Sequence, residues 1–150
     1  MNLYTIGFTK KTAEQFFETL KKHEIHLLID VRLNNSSQLS GFAKCDCLPY
    51  FLKELCCAEY LHLPEFAPTQ EILDDYKKKR ISWEDYESKY LSLIQNRDND
   101  KGICKYFAET YQQYRNIVLL CSELIAEKCH RRLAAELICK SNKEISLTHL

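Results

Sequence analysis

The chain has 150 residues, enough for one domain to bury a hydrophobic core without disulfide or metal staples. Its 21 basic and 21 acidic residues cancel to a net charge of zero. This excludes a global electrostatic pull toward nucleic acid or membrane and leaves only local patches to argue for one. No apolar run approaches the roughly 20 residues of a bilayer span, and the polar stretch Thr9 to Thr12 interrupts any signal-peptide core, so a soluble cytoplasmic protein with no membrane partner is expected. In that setting the eight cysteines read as reduced thiols, mostly small buried hydrophobes, and not as a disulfide framework.

Leu3 to Ile6 predicts a short strand ending at Gly7. Thr12 and Gln15 have capping-box spacing, and Ala13, Phe16, Phe17 and Leu20 follow on one helical face. Ile25 to Arg32 is almost continuously apolar up to Asp30, as in a strand covered on both faces. Residues 33–47 are polar or small and long for a loop within one domain, which marks a functional or irregular surface connection. Leu48 to Leu55 predicts a helix with Pro49 in its first turn, and Glu59 to Pro64 a third strand stopped by proline.

From Ala67 to Arg115 only helical signals occur. Thr69 caps a segment with Ile72, Leu73 and Tyr76; Ser82 opens another with Trp83, Tyr86, Tyr90 and Ile94 on one face; a third carries Ile103, Phe107, Tyr111 and Tyr114. Their spacing points to core packing more than to a base-stacking platform. Asn116 to Cys121 predicts a buried strand, Leu133, Ala134, Leu137 and Ile138 the inner face of a helix beginning near Cys129, and Glu144 to Leu150 a last strand. The alternation implies a single α/β domain over residues 1–150. It would be a three-layer αβα sandwich with a largely parallel sheet of four or five strands and a helical insertion between the third and fourth.

Ligands of such sheets bind beyond the carboxyl ends of the strands, where free backbone donors and helix N-termini gather. That topology collects Gly7, Asp30 with Arg32, His62 with Glu65, Cys121 with Glu123, and Cys129 to Arg132. Cys129, at a helix start beside arginines, is in a setting that stabilises thiolate and is a candidate nucleophile, with Cys121 a second. His130 shares the face of Leu133 and Ala134, so it points inward, and it or Glu123 is a candidate acid or base. Arg32, Arg131 and Arg132 suit bidentate anion binding. The structural alternative pairs Arg32 with Asp30 or Glu123, and Arg132 with Glu136 one turn on.

A zinc set of Cys121, Cys129, His130 and His62 matches no common spacing, and adjacent Cys129 and His130 would diverge on a helix, so neither a metal nor another cofactor is expected. Cys45, Cys47, Cys56 and Cys57 lack a histidine to complete a ribbon site. No P-loop, dinucleotide fingerprint or Cys-x-x-Cys motif occurs. Lys77 to Arg80 is a basic run with the look of a solvated helix end.

Tyr4 to Gly7, Asp30 to Arg32, Tyr60 to Glu65 and above all Leu120 to Glu123 followed by Cys129 to Glu136 resemble the DUF488 family of bacterial and archaeal proteins, in the same order and over nearly the full length. The resemblance implies an αβα domain and draws interest to Asp30, Arg32, Cys121, Glu123, Cys129, His130 and Arg131. It brings no activity with it. The chain departs from the commoner family pattern at Phe8, where a histidine usually follows the glycine, and at residues 33–38, which replace a proline- and arginine-rich loop.

The expectation from these residues is an enzyme acting on a phosphorylated or other anionic substrate, with nucleotides and nucleic acid as candidates, at the carboxyl edge of the sheet. Arg32, Arg131, Arg132, Asp30, Gly7, His62 and Glu65 would line the substrate, and Cys129, His130, Glu123 and Cys121 would carry the chemistry. The alternatives are a non-catalytic module that binds an anion or a partner, and a thiol redox sensor using Cys121 and Cys129.

Overall fold

The computed structural model describes residues 1–150. Five strands, β1 (Asn2–Gly7), β2 (Leu27–Asp30), β3 (Glu59–His62), β4 (Asn116–Cys121) and β5 (Ser146–His149), form one sheet in the order β3-β2-β4-β1-β5. Every pairing is parallel. The helices are α1 (Ala13–Lys22), α2 (Leu48–Phe51), α3 (Gln70–Lys77), α4 (Trp83–Lys101), α5 (Phe107–Thr110) and α6 (His130–Ser141).

The alternation of side chains along a strand sorts the apolar residues into two cores, one on each face of the sheet. Ile6, Leu28, Val118 and Leu120 face Phe16, Phe17 and Leu20 of α1 and Leu48 of α2. Leu27, Ile29, Ile117, Leu119 and Cys121 face Tyr86, Tyr90 and Ile94 of α4 and Leu133, Ala134 and Ile138 of α6. The aromatic residues of the insertion between β3 and β4 are core on this second face, as their helical spacing predicts.

Local signals set most boundaries. The Thr12 hydroxyl accepts from the Gln15 backbone at 3.1 Å while the Gln15 side chain accepts from the Thr12 backbone at 2.9 Å, closing the predicted capping box of α1. Ser82 and Asp85 do the same for α4. Elsewhere tertiary structure changes the element. The long 33–47 connection contains a 3-10 segment, Gln38–Ala43, and the helix begun by α2 widens into a π turn over Leu52–Cys56 that ends with Cys57 in the left-handed region. The helix expected over residues 103–114 is the single turn α5, because Gly102 ends α4 and the Asp98 carboxylate takes the backbone N–H groups of Cys104 and Lys105.

β2 and β4 are neighbours, yet their connections leave on opposite faces: β2 leads to α2 on the α1 face, and β4 leads to α6 on the other. The loops separate and a crevice opens at their carboxyl ends, as doubly wound sheets do where chain direction switches.

Candidate functional site

On the β2 side of the crevice, the fully buried Asp30 carboxylate grips Arg32 bidentately, accepting from Nε at 2.8 Å and from Nη2 at 2.6 Å. Nη2 also donates to the Ala43 carbonyl at 2.7 Å, tying the 33–47 loop to the strand end, and the Tyr60 hydroxyl donates to Asp30 at 2.8 Å. Burial and the Asp30 charge hold the Tyr60 hydroxyl protonated, its pKa well above the ordinary value. His62 Nε2 donates to the Arg32 carbonyl at 2.8 Å. Arg32 Nη1 has no partner, and the Phe8 ring lies 5.2 Å from the guanidinium carbon. The aromatic ring thus covers a buried cation.

On the β4 side, Cys121, Cys129 and His130 are all buried, at 5, 2 and 7 % exposure, and their donor atoms lie within 4.8 Å of one another. Cys129 is the N-cap residue of α6, with extended backbone (φ −140°, ψ 135°), so its side chain does not follow the helical progression and does not diverge from that of His130. The divergence expected from adjacent positions on a helix is absent for this reason. His130 Nε2 lies 2.9 Å from the Val31 carbonyl, which can only accept, so Nε2 carries the hydrogen and Nδ1 keeps its lone pair in the neutral ring. Cys121 Sγ is 3.7 Å from both ring nitrogens.

The two thiols are not equivalent. The Cys129 thiol donates toward Cys121, and with the backbone N–H groups of Ser122 and Glu123 and the charge of Arg131 this holds the Cys121 thiol below its ordinary pKa despite burial. The same contact and burial push Cys129 well above it. The thiolate is the form that attacks electrophiles and binds metals. It forms first on the strand residue, not on the helix cap.

Arg131 is fully buried and has no carboxylate partner; its guanidinium donates to the carbonyls of Glu123 and Leu124, and Nε is unpaired. Burial and this uncompensated charge push Lys11 and His149 down. Arg131 fastens the 122–128 loop over Gly7, whose bare Cα leaves room for the Glu123 carbonyl where a Cβ would collide. Gly7 therefore shapes the site through its backbone. Arg132 pairs with Glu136 at 2.9 Å and Glu87 at 3.2 Å, away from the crevice. Glu65 lies in the 3-10 turn Pro64–Phe66, where its carbonyl accepts from Arg97.

A cavity of about 570 Å³ occupies the crevice. Arg32 borders it from just past the end of β2; Cys121, Ser122, Glu123, Cys129 and His130 border it from β4, the loop after it and α6; α3, α4 and the link between them close it with Leu73, Tyr76, Ile81, Trp83 and Tyr86. Arg131, Arg132, Asp30, Gly7, His62 and Glu65 do not line it. Its remaining cations are Lys77, Lys79 and Lys128, none of them in an ion pair within the chain, against the single carboxylate of Glu123. Sequence reasoning missed these three lysines. The run Lys77 to Arg80 was the available signal for two of them, but its position beside the strand ends follows only from how α3 packs; Lys128 stands in the loop between β4 and α6.

The family model of the domain of unknown function DUF488 matches residues 12–138. The chain belongs to this family. Every side chain that borders the cavity falls inside the DUF488 match, while Gly7 and Phe8 precede it. No curated protein and no solved structure matches the chain. No helix is long and apolar enough to cross a membrane.

Proposed function

We propose that this DUF488 protein is an enzyme that acts on a phosphorylated or otherwise anionic small molecule bound in the crevice between β2 and β4. The carrying observation is the charge of the cavity: with Arg32 already paired to Asp30, the unpaired Lys77, Lys79 and Lys128 border it against the one carboxylate of Glu123, in a chain whose net charge is zero. A local cation excess in a walled cleft concentrates anions and strengthens their binding. The apolar wall of Tyr76 and Trp83 suits a substrate that also carries a ring or hydrocarbon part, which a nucleotide has. The buried floor of Cys121, Cys129 and His130 is where that substrate meets reactive groups, and this favours an enzyme over a passive binding module. All eight cysteines are free thiols, which supports reading the protein as cytoplasmic.

Trp83 is the only tryptophan and lines the cavity, so its emission reports occupancy. Titration with a nucleoside monophosphate should quench it, more weakly as salt rises. The combined Lys77→Ala, Lys79→Ala and Lys128→Ala variant should bind about tenfold less tightly or worse, roughly 1.4 kcal/mol. Quenching indifferent to both salt and the lysines would overturn the anionic reading. Loss of quenching by inorganic phosphate competition, with no turnover of any phosphorylated compound, would leave a binding module.

A further inference from the structure

We propose that Cys121, Cys129 and His130 are the protein ligands of a single divalent transition-metal ion of the zinc class, with its fourth position open to the cavity. The three donors come from two elements, the end of β4 and the start of α6, and lie within 4.8 Å of one another. In a tetrahedral site with two thiolates and one imidazole, the metal distances of about 2.3 Å to sulfur and about 2.0 Å to nitrogen put the donors roughly 3.5–3.8 Å apart. Cys121 Sγ and His130 Nδ1 are 3.7 Å apart. Cys121 Sγ is also 3.7 Å from Nε2, so reaching that geometry takes a modest contraction of the cluster together with a turn of the imidazole that aims Nδ1 at the common point.

Two further features favour metal over an inert thiol cluster. The Val31 carbonyl takes the Nε2 hydrogen at 2.9 Å, which fixes the tautomer with Nδ1 as the free ligand atom. Metal-binding histidines characteristically make this bond to a carbonyl or carboxylate. The extended N-cap backbone of Cys129 is what brings two adjacent residues onto one point. Soft sulfur donors select zinc-class ions over magnesium or calcium. All three residues border the cavity, so a fourth ligand can come from it, the arrangement of catalytic and not of structural zinc.

Binding releases the two thiol protons to solvent and leaves a neutral unit of one dication and two thiolates. The buried guanidinium of Arg131 beside it then favours an anion at the open position. That last step rests on the anionic-substrate reading; the metal site itself does not.

The test uses the full chain, reduced and stripped with a chelator, and titrated with cobalt(II). One equivalent should produce a sulfur-to-cobalt charge-transfer band in the near ultraviolet and the intense visible bands of tetrahedral cobalt, and one equivalent of zinc should abolish both. Cys121→Ser, Cys129→Ser and His130→Gln should each weaken binding by about a hundredfold or more. Cys47→Ser, at an exposed thiol, should bind as the wild type does. Zinc should also protect Cys121 and Cys129 of the wild type from alkylation, a readout that needs no variant to fold. Octahedral cobalt spectra, spectra unchanged by the Cys121 and Cys129 substitutions, or unprotected thiols would overturn the site. Quenching of Trp83 by a nucleotide in the stripped protein is read separately, so metal site and anion site can fail independently.

Discussion

The Cα of Gly7 lies against the Glu123 carbonyl that Arg131 also binds, so the end of β1, the loop after β4 and the first turn of α6 meet at one point. Gly7 does not need positive φ; it needs the absence of a side chain. Gly7→Ala should therefore displace the 122–128 loop instead of straining β1. A cost of about 2–4 kcal/mol in urea unfolding is expected. Retained strand content by circular dichroism, together with loss of nucleotide quenching at Trp83, would localise the damage to the loop.

Asp30 and Arg32 form an ion pair at 2.6 Å with both side chains buried, and Tyr60 completes the carboxylate. Removing one partner leaves an uncompensated buried charge, so Asp30→Asn should destabilise the fold by about 3–5 kcal/mol. The double variant Asp30→Leu with Arg32→Met removes both charges and should regain most of that loss. Denaturant midpoints of the two variants check the pair. A single substitution as mild as the double would show that the carboxylate is not needed to hold the guanidinium.

Burial pushes the Cys104 thiol up to about 12, beneath α4 and beside Asp98. In the unfolded chain this thiol ionises near its ordinary value of about 9. Between those values the unfolded state holds fewer protons than the folded one, so stability falls as pH rises, by at most about 1.4 kcal/mol per pH unit from this group. Below about pH 9 both states keep the proton and the group has no pH effect. Cys104→Ala should lower stability at neutral pH by about 1–2 kcal/mol through the lost packing. Its stability should then decline less steeply than the wild type's from about pH 9 to 10. Equal slopes would show that Cys104 ionises freely in the folded protein.

The fold was legible because its signals are local. Buried strands read as unbroken apolar runs, Thr12 and Gln15 announced α1, and the spacing of Tyr86, Tyr90 and Ile94 placed α4 against the sheet. The site was legible in its residues but less so in their directions. Helical periodicity locates a helix start only to within a residue or two, and a single step rotates a side chain by about 100°. Placing Cys129 inside α6 separates it from His130; placing it at the extended cap joins them. Arg131 lies beyond such reasoning for another reason. Composition argues against burying a guanidinium without a carboxylate, yet two loop carbonyls hold it, a tertiary contact with no sequence signature. Lys77 and Lys79 are ordinary exposed side chains until the packing of α3 sets them beside β4.

Cys121 and Cys129 should react unequally in the reduced, metal-free protein. Donation from Cys129, the Ser122 and Glu123 backbone and the Arg131 charge favour thiolate at Cys121, while the same hydrogen bond keeps Cys129 protonated. Iodoacetamide labelling followed by peptide mass analysis should show Cys121 reaching half-maximal rate at a pH below that of an ordinary thiol, with Cys129 labelled last. Cys129→Ala removes the donor and should move the Cys121 profile to higher pH. Arg131→Met removes the neighbouring positive charge and should move it the same way, while also releasing the loop. Coincident profiles for the two cysteines would mean that the cap hydrogen bond does not discriminate between them. Equal protection of both would instead mean that cavity access, and not ionisation, governs their chemistry.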